Sequence, residues 1–532
     1  MDKWNGRDSD QVARMIRHGV SRRDMLRMLT AGGLALTSAG ALFASASRAL
    51  AQEPLRGGSI RVAGITSSNA DTLDPAKGSN QADYVRACAF YNRLTVLDGS
   101  GLPQSELAES VESDDAQTWT IKLKSGVTFH DGKSLTSADV VYSLKRHLDE
   151  AVGSKVNSMA KQMTAIQAVD DLTVEIGLEA PNADLPTILA LHHFMIVADG
   201  TTDFAKANGT GPFICEVFEP GVRSVGVRNP NYFKEGKPYL DSFEFFGIPD
   251  DSARVNALLS GDIQLASAVK PQYMRMIDNN PDVTLVRTNA GLYTNLNIRL
   301  DLDPGAKAGF AEGVKHLLNR ELIVNSILQG TGEVGNDQPI PPSSFYYNAD
   351  LAPKPFDPDR ARFLFEQAGL LGQNIPIVAS DAASLSVEMA TVLQQAGAEI
   401  GMNFEIQRVP SDGYWSNYWL KSPVHFGNIN PRPTPDAYFS LLYASDAPWN
   451  ESQYKSETFD KMLLEARGLL DRERRKEIYH EMQAMVANEA GTIIPARLGV
   501  VDAAASKLKG LEPNPLGGMM GYTFAEHVWL EA

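Results

Sequence analysis

Between Trp119 and Leu123 apolar and polar residues alternate, with Trp119, Ile121 and Leu123 set against Thr120 and Lys122. A period of two is what a strand with one buried face requires. Ser125-Gly126 interrupts the pattern, Val127-Thr128-Phe129 resumes it, and Asp131-Gly132 supplies residues that tolerate positive φ at a hairpin turn. Thr136 then stands three residues before Asp139, a capping-box spacing, ahead of Val140, Val141 and Leu144 on one helical face. The stretch is predicted to be a strand, a second strand, a tight turn and a capped helix. No group in it could do chemistry unaided.

The same reading extends along the chain. Strands are expected at 59–63, 169–176, 242–246, 376–380 and 404–409, and helices at 81–91, 186–191, 311–328 and 384–397. Residues 257–263 read as a helix stopped by Gly261 and followed by a buried strand. Asp357-Pro358 opens a helix stopped by Gly369, and Asp471 caps another running towards Ala487. Two strands, 293–300 and 493–503, lie where the chain would cross between two bodies. Strands alternating with helices predict an α/β protein with a partly parallel sheet.

Several of these segments carry a resemblance. LAES at 107–110, TWTIKLKSGVTFHDGKSLTSADVVYSLKR at 118–146, Leu73-Asp74-Pro75, FYNRLTVL at 90–97 and Gly209-Thr210-Gly211-Pro212-Phe213 all contribute. So do Asn229-Pro230-Asn231-Tyr232-Phe233 and ALLSGDI at 257–263. Together they resemble the peptide/nickel-type (family 5) solute-binding proteins that deliver cargo to ABC importers. The resemblance implies a two-lobed periplasmic-binding-protein fold, type II, of the large cluster with an extra subdomain in the first lobe. Its expected boundaries are 52–292 plus 498–532 for lobe I, with the subdomain at about 97–208, and 293–497 for lobe II. It also implies a monomer that closes on its cargo and is recognised by an inner-membrane permease, whose own ATPase supplies the energy.

Residues 1–51 are set apart as an export leader. Arg22-Arg23 precedes an uncharged run from Met28 to Ser47, and Ala49-Leu50-Ala51 has the small-x-small pattern of a cleavage site. This is similar to a twin-arginine signal, and its lack of Cys excludes a lipid anchor there. The run is diluted by Thr30, Gly32, Gly33 and Gly40, too polar for a membrane span. A soluble periplasmic protein is expected.

Charge narrows the class of partner. The chain carries −16, and the leader holds eight Lys/Arg and four Asp, leaving −20 after cleavage. Such a balance argues against nucleic acid or an anionic membrane and favours a cationic or zwitterionic cargo. The two cysteines, Cys88 on an expected helix and Cys215 on an expected strand, are compatible with one bridge or with two buried thiols. There is no HExxH, GxSxG, P-loop or CxxC. Gly330-Thr331-Gly332-Glu333-Val334-Gly335 matches GxGxxG but follows a helix, where a dinucleotide site needs it after a strand. His192 and His193 are adjacent and point to different faces, a poor chelating pair. No enzyme activity, cofactor or metal is expected.

The ligand-binding candidates fall in three places. Ser67, Ser68 and Asn69 lie in the polar loop before Leu73-Asp74-Pro75, which borders the cleft in relatives. Tyr414, Trp415, Tyr418 and Trp419, with Trp449, form either a stacking wall for a cargo or a helix packed by aromatics. Asn430, Arg432 and Asp436 occupy a proline-rich turn after Phe426, at a place where peptide-binding relatives carry a Trp and an ammonium-pairing Asp. Arg432 offers a fork for a carboxylate and Asp436 a partner for an ammonium, which together suit a short peptide or another amino-acid-derived solute. An opine, an oligosaccharide, a metal chelate or haem are the alternative cargoes, and an exported hydrolase is the alternative class.

Overall fold

The computed structural model describes residues 54–531; the expected leader lies outside the described residues. A mixed sheet of twelve strands organises the rest. At its middle are two long antiparallel strands, Val283–Ile298 and Ala496–Ala505. They pair from Val283 opposite Ala505 to Tyr293 opposite Arg497, with a bulge between Asn289 and Leu292. On one flank the order continues through Leu265–Ala266, Ser59–Gly64, Ser242–Gly247, Arg223–Arg228 and Phe213–Glu219. On the other it continues through Val424–Ile429, Asn374–Ala379 and Asn403–Arg408.

Each flank contains a parallel part. Ser59–Gly64 pairs in parallel with Ser242–Gly247 and with Leu265–Ala266, and Asn374–Ala379 does so with Asn403–Arg408. Helices cover these faces because their apolar stripes need a partner. Gln81–Phe90 packs Val85 and Phe90 against Phe213 and Phe243, while Phe310–Leu317 and Pro358–Gln367 bring Phe310 and Phe365 into a separate core with Phe404 and Phe426. Two cores on opposite flanks of one strand pair make two bodies.

A smaller antiparallel sheet stands beside the first flank, in the order Ala108–Glu112, Thr118–Leu123, Thr173–Leu178, Met163–Asp170. The alternation at 119–123 places Trp119, Ile121 and Leu123 inward. The helix Ser137–Arg146 follows, and Asp139 reaches back to accept from the backbone N–H of Thr136 at 2.8 Å. Three expectations are corrected. The strand expected at 127–129 is a single bridge, Thr128 to Ser134, because turns at Gly126 and Gly132, both at positive φ, leave no room for a ladder. Residues 169–176 are the turn and second arm of a hairpin, Met163–Asp170 and Thr173–Leu178. The helix expected at 311–328 stops at Leu317: Leu318 is extended, and Asn319 caps a new start at Arg320.

Two glycines are required by close approach. A Cβ on Gly209 would lie 2.1 Å from the Phe90 carbonyl oxygen, and one on Gly211 would lie 2.4 Å from the Phe90 carbonyl carbon. The segment Gly209-Thr210-Gly211 therefore runs against the end of the first long helix as bare backbone. Cys88 and Cys215 are both free thiols.

Candidate functional site

A cavity of about 590 Å³ opens between the two bodies. One wall comes from residues 93–106, from Ala190-Leu191-His192, from Lys234 and Lys237, and from the segment 514–527. The facing wall comes from Ile340, Pro341, Ser343 and Ser344 and from the proline-rich turn Pro431-Arg432-Pro433-Thr434-Pro435. The volume suits a small organic solute, within the usual range of ligand pockets. Aliphatic side chains and prolines contribute to the lining, Leu97, Leu191, Ile340, Pro341 and Leu516 among them.

The charges on the first wall are clustered and paired. Lys234 donates to Glu106 at 2.8 Å and to Glu526 at 3.0 Å, and Lys237 donates to Glu526 at 3.1 Å. Burial alone would raise the Glu526 pKa, but Lys234, His527 and Lys237 outweigh it and hold the carboxyl down at about 2. Asp98 accepts from the Ser100 backbone and hydroxyl, from Leu102 N–H and from the Gln104 amide. His192 is pushed down to about 3, chiefly by burial and then by Arg93, so it is neutral; its ring nitrogen meets the Gly521 carbonyl at 3.2 Å and its face stacks on Tyr84. Among the described residues no group of His, Cys, Asp and Glu could hold a metal ion.

The segment 514–527 is held in an unusual backbone. Met519, Met520 and Tyr522 have φ of 50°, 58° and 72°, left-handed values that cost non-glycine residues energy. The buried Asp502 carboxylate, on the central strand Ala496–Ala505, holds the turn by accepting from Met519 N–H and from Ala268 N–H. Nothing in the local pattern of residues 514–527 marks them as a cavity wall. The pairing of Glu526 with Lys234 spans 292 positions, so no sequence window contains both.

The sequence-derived candidates are distributed unevenly. Arg432 lines the cavity. Its guanidinium carbon lies 5.3 Å from the centre of the Trp449 ring, and its Nε is buried without a hydrogen-bond partner among the described residues. Trp449 meets Trp419 edge to face at 5.4 Å, and Trp419 meets Trp415 at 5.6 Å. These tryptophans run behind Arg432, away from the cavity lining, and Trp415 at the far end is exposed. Tyr414 is fully buried and donates to the Phe426 carbonyl at 2.7 Å, while Tyr418 stacks on it. The 414–419 cluster thus packs within its own body, supported by Glu451, which accepts from Trp419 Nε1 and from Asn295, each at 2.6 Å.

Asp436 also sits off the cavity. It accepts from Arg467 Nε at 3.0 Å and from Ser440, and burial raises its pKa further than Arg467 lowers it. Asn430 is exposed on the same turn. Ser67, Ser68 and Asn69 lie beyond the carboxyl end of Ser59–Gly64, where Asn69 packs against Gly221 and Ser67 against Gly247, and none of the three lines the cavity.

The bodies touch across the seam beside the cavity. Phe345 N–H donates to Ser100 O at 2.9 Å and Ala183 N–H to Arg467 O at 2.8 Å. Asp184 and Arg475 form an ion pair between them, with side chains only 7% and 4% exposed.

A family model, described as bacterial extracellular solute-binding proteins, family 5, middle region, matches residues 103–451. The chain belongs to that family. The dipeptide-binding protein of Escherichia coli K12 is 25% identical over 472 residues, covering 80% of this chain and 87% of the relative. Two solved structures share the fold. HbpA2 from Haemophilus parasuis has a TM-score of 0.81 at 21% identity, over 90% of this chain and 100% of the other. The DppA periplasmic binding protein from Helicobacter pylori, in complex with the peptide STSA, has a TM-score of 0.69 at 23% identity, over 90% and 99%. The fold is the two-lobed type II binding-protein fold, and the cavity of this family 5 member lies between its lobes.

Proposed function

We propose that this chain captures a short peptide or another amino-acid-derived solute between its lobes and hands it to the membrane permease of an ABC importer. The observation that carries the reading is the cavity of about 590 Å³ with walls from both lobes, one of which presents Arg432. The family match and the peptides named for the dipeptide-binding and DppA relatives support it. Binding favours the closed arrangement only by its differential affinity for that form. The chain itself hydrolyses nothing; the ATPase belongs to the permease.

In this reading residues 1–51 direct export and are removed near Ala51, so that the carrier works as a periplasmic monomer. The lobes are 52–292 with 498–532, and 293–497. Arg432, steadied by Trp449, contacts the cargo. Among the described residues no helix is long and apolar enough to cross a membrane.

The test is to denature the purified protein, identify by mass spectrometry what it releases, and titrate that compound back. A peptide or amino-acid derivative recovered unchanged after incubation supports the reading. A sugar, a haem or a metal chelate replaces the cargo, and a cleaved product replaces the class.

A further inference from the structure

The formal charge of the whole chain and the charge at its cavity point in opposite directions. Four cationic side chains line the cavity, Arg93, Lys234, Lys237 and Arg432, against three carboxylates, Asp98, Glu106 and Glu526. Every one of those carboxylates already has its donors. Glu106 takes Lys234 at 2.8 Å, the Asn92 amide at 3.0 Å and the Arg93 backbone N–H at 2.9 Å. Glu526 takes both lysines and the Tyr232 hydroxyl at 3.1 Å. Four donors converge on Asp98, as many as a carboxylate has lone-pair sites.

Near the seam Asp436 is paired with Arg467, and Asp184 with Arg475, although Asp184 Oδ2 is buried without a hydrogen-bond partner among the described residues. A cargo ammonium approaching the three carboxylates of the cavity wall would have to displace a lysine or the other donors already on them. On the opposite wall the balance is reversed. Arg432 makes no ion pair among the described residues, its Nε has no hydrogen-bond partner, and its contact is the face of Trp449. A guanidinium so placed fits a carboxylate in two-pronged fashion. Leu97, Ile340, Pro341 and Leu516 line the same cavity.

From this asymmetry we infer that the cargo is an anion without a compensating cation: a carboxylate on an apolar body, such as an N-acylated amino acid or N-blocked peptide. The inference rests on the reading of the chain as a carrier of amino-acid-derived solutes and narrows it. Arg432 is the carboxylate contact. Lys234 and Lys237, held by Glu106 and Glu526, give the far wall a neutralised polar surface instead of an ammonium site.

The experiment uses the exported protein freed of endogenous ligand and one peptide, Ala-Phe, in four forms: free, N-acetylated, C-amidated and blocked at both ends. Titration calorimetry also includes 3-phenylpropionate. The expected result is that the N-acetyl form binds at least as tightly as the free form. Amidating the carboxylate should weaken binding about tenfold or more, as loss of a charge-assisted pair does. Arg432→Gln should erase the acid-over-amide preference, and Arg432→Lys should restore part of it. The acid-to-amide ratio is internal to each variant, so a partly folded preparation does not distort it.

A free ammonium form that binds more than about tenfold better than its acetylated partner overturns the inference and leaves the peptide-carrier reading standing. Equal binding of acid and amide overturns it too. If no peptide form binds but 3-phenylpropionate does, through Arg432, the anion inference is supported and the amino-acid part of the carrier reading falls. If none of the five binds, both are overturned.

Discussion

Arg432 lies over the face of Trp449, with 5.3 Å between the guanidinium carbon and the ring centre. Trp449 is in turn braced edge to face by Trp419. A cation on an indole is worth about 0.5–2 kcal/mol depending on its desolvation. Trp449→Ala is therefore expected to weaken cargo binding by about that amount through the freedom it gives Arg432, measured by calorimetry. Trp415→Ala, at the exposed end of the same row, is expected to stay within about 0.5 kcal/mol of the parent. Equal losses from both would show that the whole row touches the cargo.

Asp184 and Arg475 are each paired across the seam in a largely buried site. Burial opposes the charge on Arg475, yet Asp184 more than offsets it and keeps the guanidinium pKa above its ordinary value. Removing one partner of such a pair costs about 3–5 kcal/mol, because the other charge stays buried alone. Opening the seam relieves that cost by letting water reach Arg475. Asp184→Asn is thus expected to enlarge the radius of gyration of the cargo-free protein in small-angle scattering and to weaken cargo binding. An unchanged scattering profile together with unchanged affinity would refute the role of the pair.

Glu451 is buried beneath Trp419. Burial pushes its carboxyl from the ordinary 4.5 up to about 7, against the Trp419 and Asn295 donors that pull it down. An acid more easily protonated when folded contributes its full stability below pH 4.5. That contribution declines as pH rises and is gone above about 7, a swing of about 3 kcal/mol. The melting temperature of Glu451→Gln relative to the parent should therefore rise between pH 4 and pH 8. A parallel pair of pH profiles would contradict this.

At Gly211 there is no space for a side chain, since the nearest atoms belong to the backbone of Phe90 and Ala89. Forcing a methyl group into a packed site costs about 1–3 kcal/mol. Gly211→Ala should lower the urea midpoint accordingly, whereas Gly99→Ala, with no atom within 4 Å of the new carbon, should leave it unmoved.

The parts of the fold that local pattern controls were legible in the residues. The alternation at 119–123, the Asp139 cap, the Asp357-Pro358 helix start and the Gly369 stop all act within a few positions. The π-like turn at Ile323–Ile327 and the break at Leu318 were not legible, because an apolar stripe continues through both and only tertiary packing interrupts it. At the cavity, Arg432 stood out as a charge in a proline-rich turn. Its neighbours across the seam, Lys234, Lys237 and Glu526, become a cluster only when segments almost 300 positions apart are brought together. The dense aromatics at 414–419 leave two readings open for the opposite reason: aromatic residues fill cores as readily as they line clefts.

The bulge between Asn289 and Leu292 sits within the long strand pair that, among the described residues, joins the two flanks of the main sheet. A ladder of backbone bonds resists being pulled lengthwise but yields to torsion, and the two extra residues in one arm sharpen the local coil. Twisting of the halves about this pair, like a wrung cloth, is therefore expected to be easier than sliding them apart. Cargo should therefore enter from one rim, the one that torsion widens, while the opposite rim keeps nearly constant width throughout.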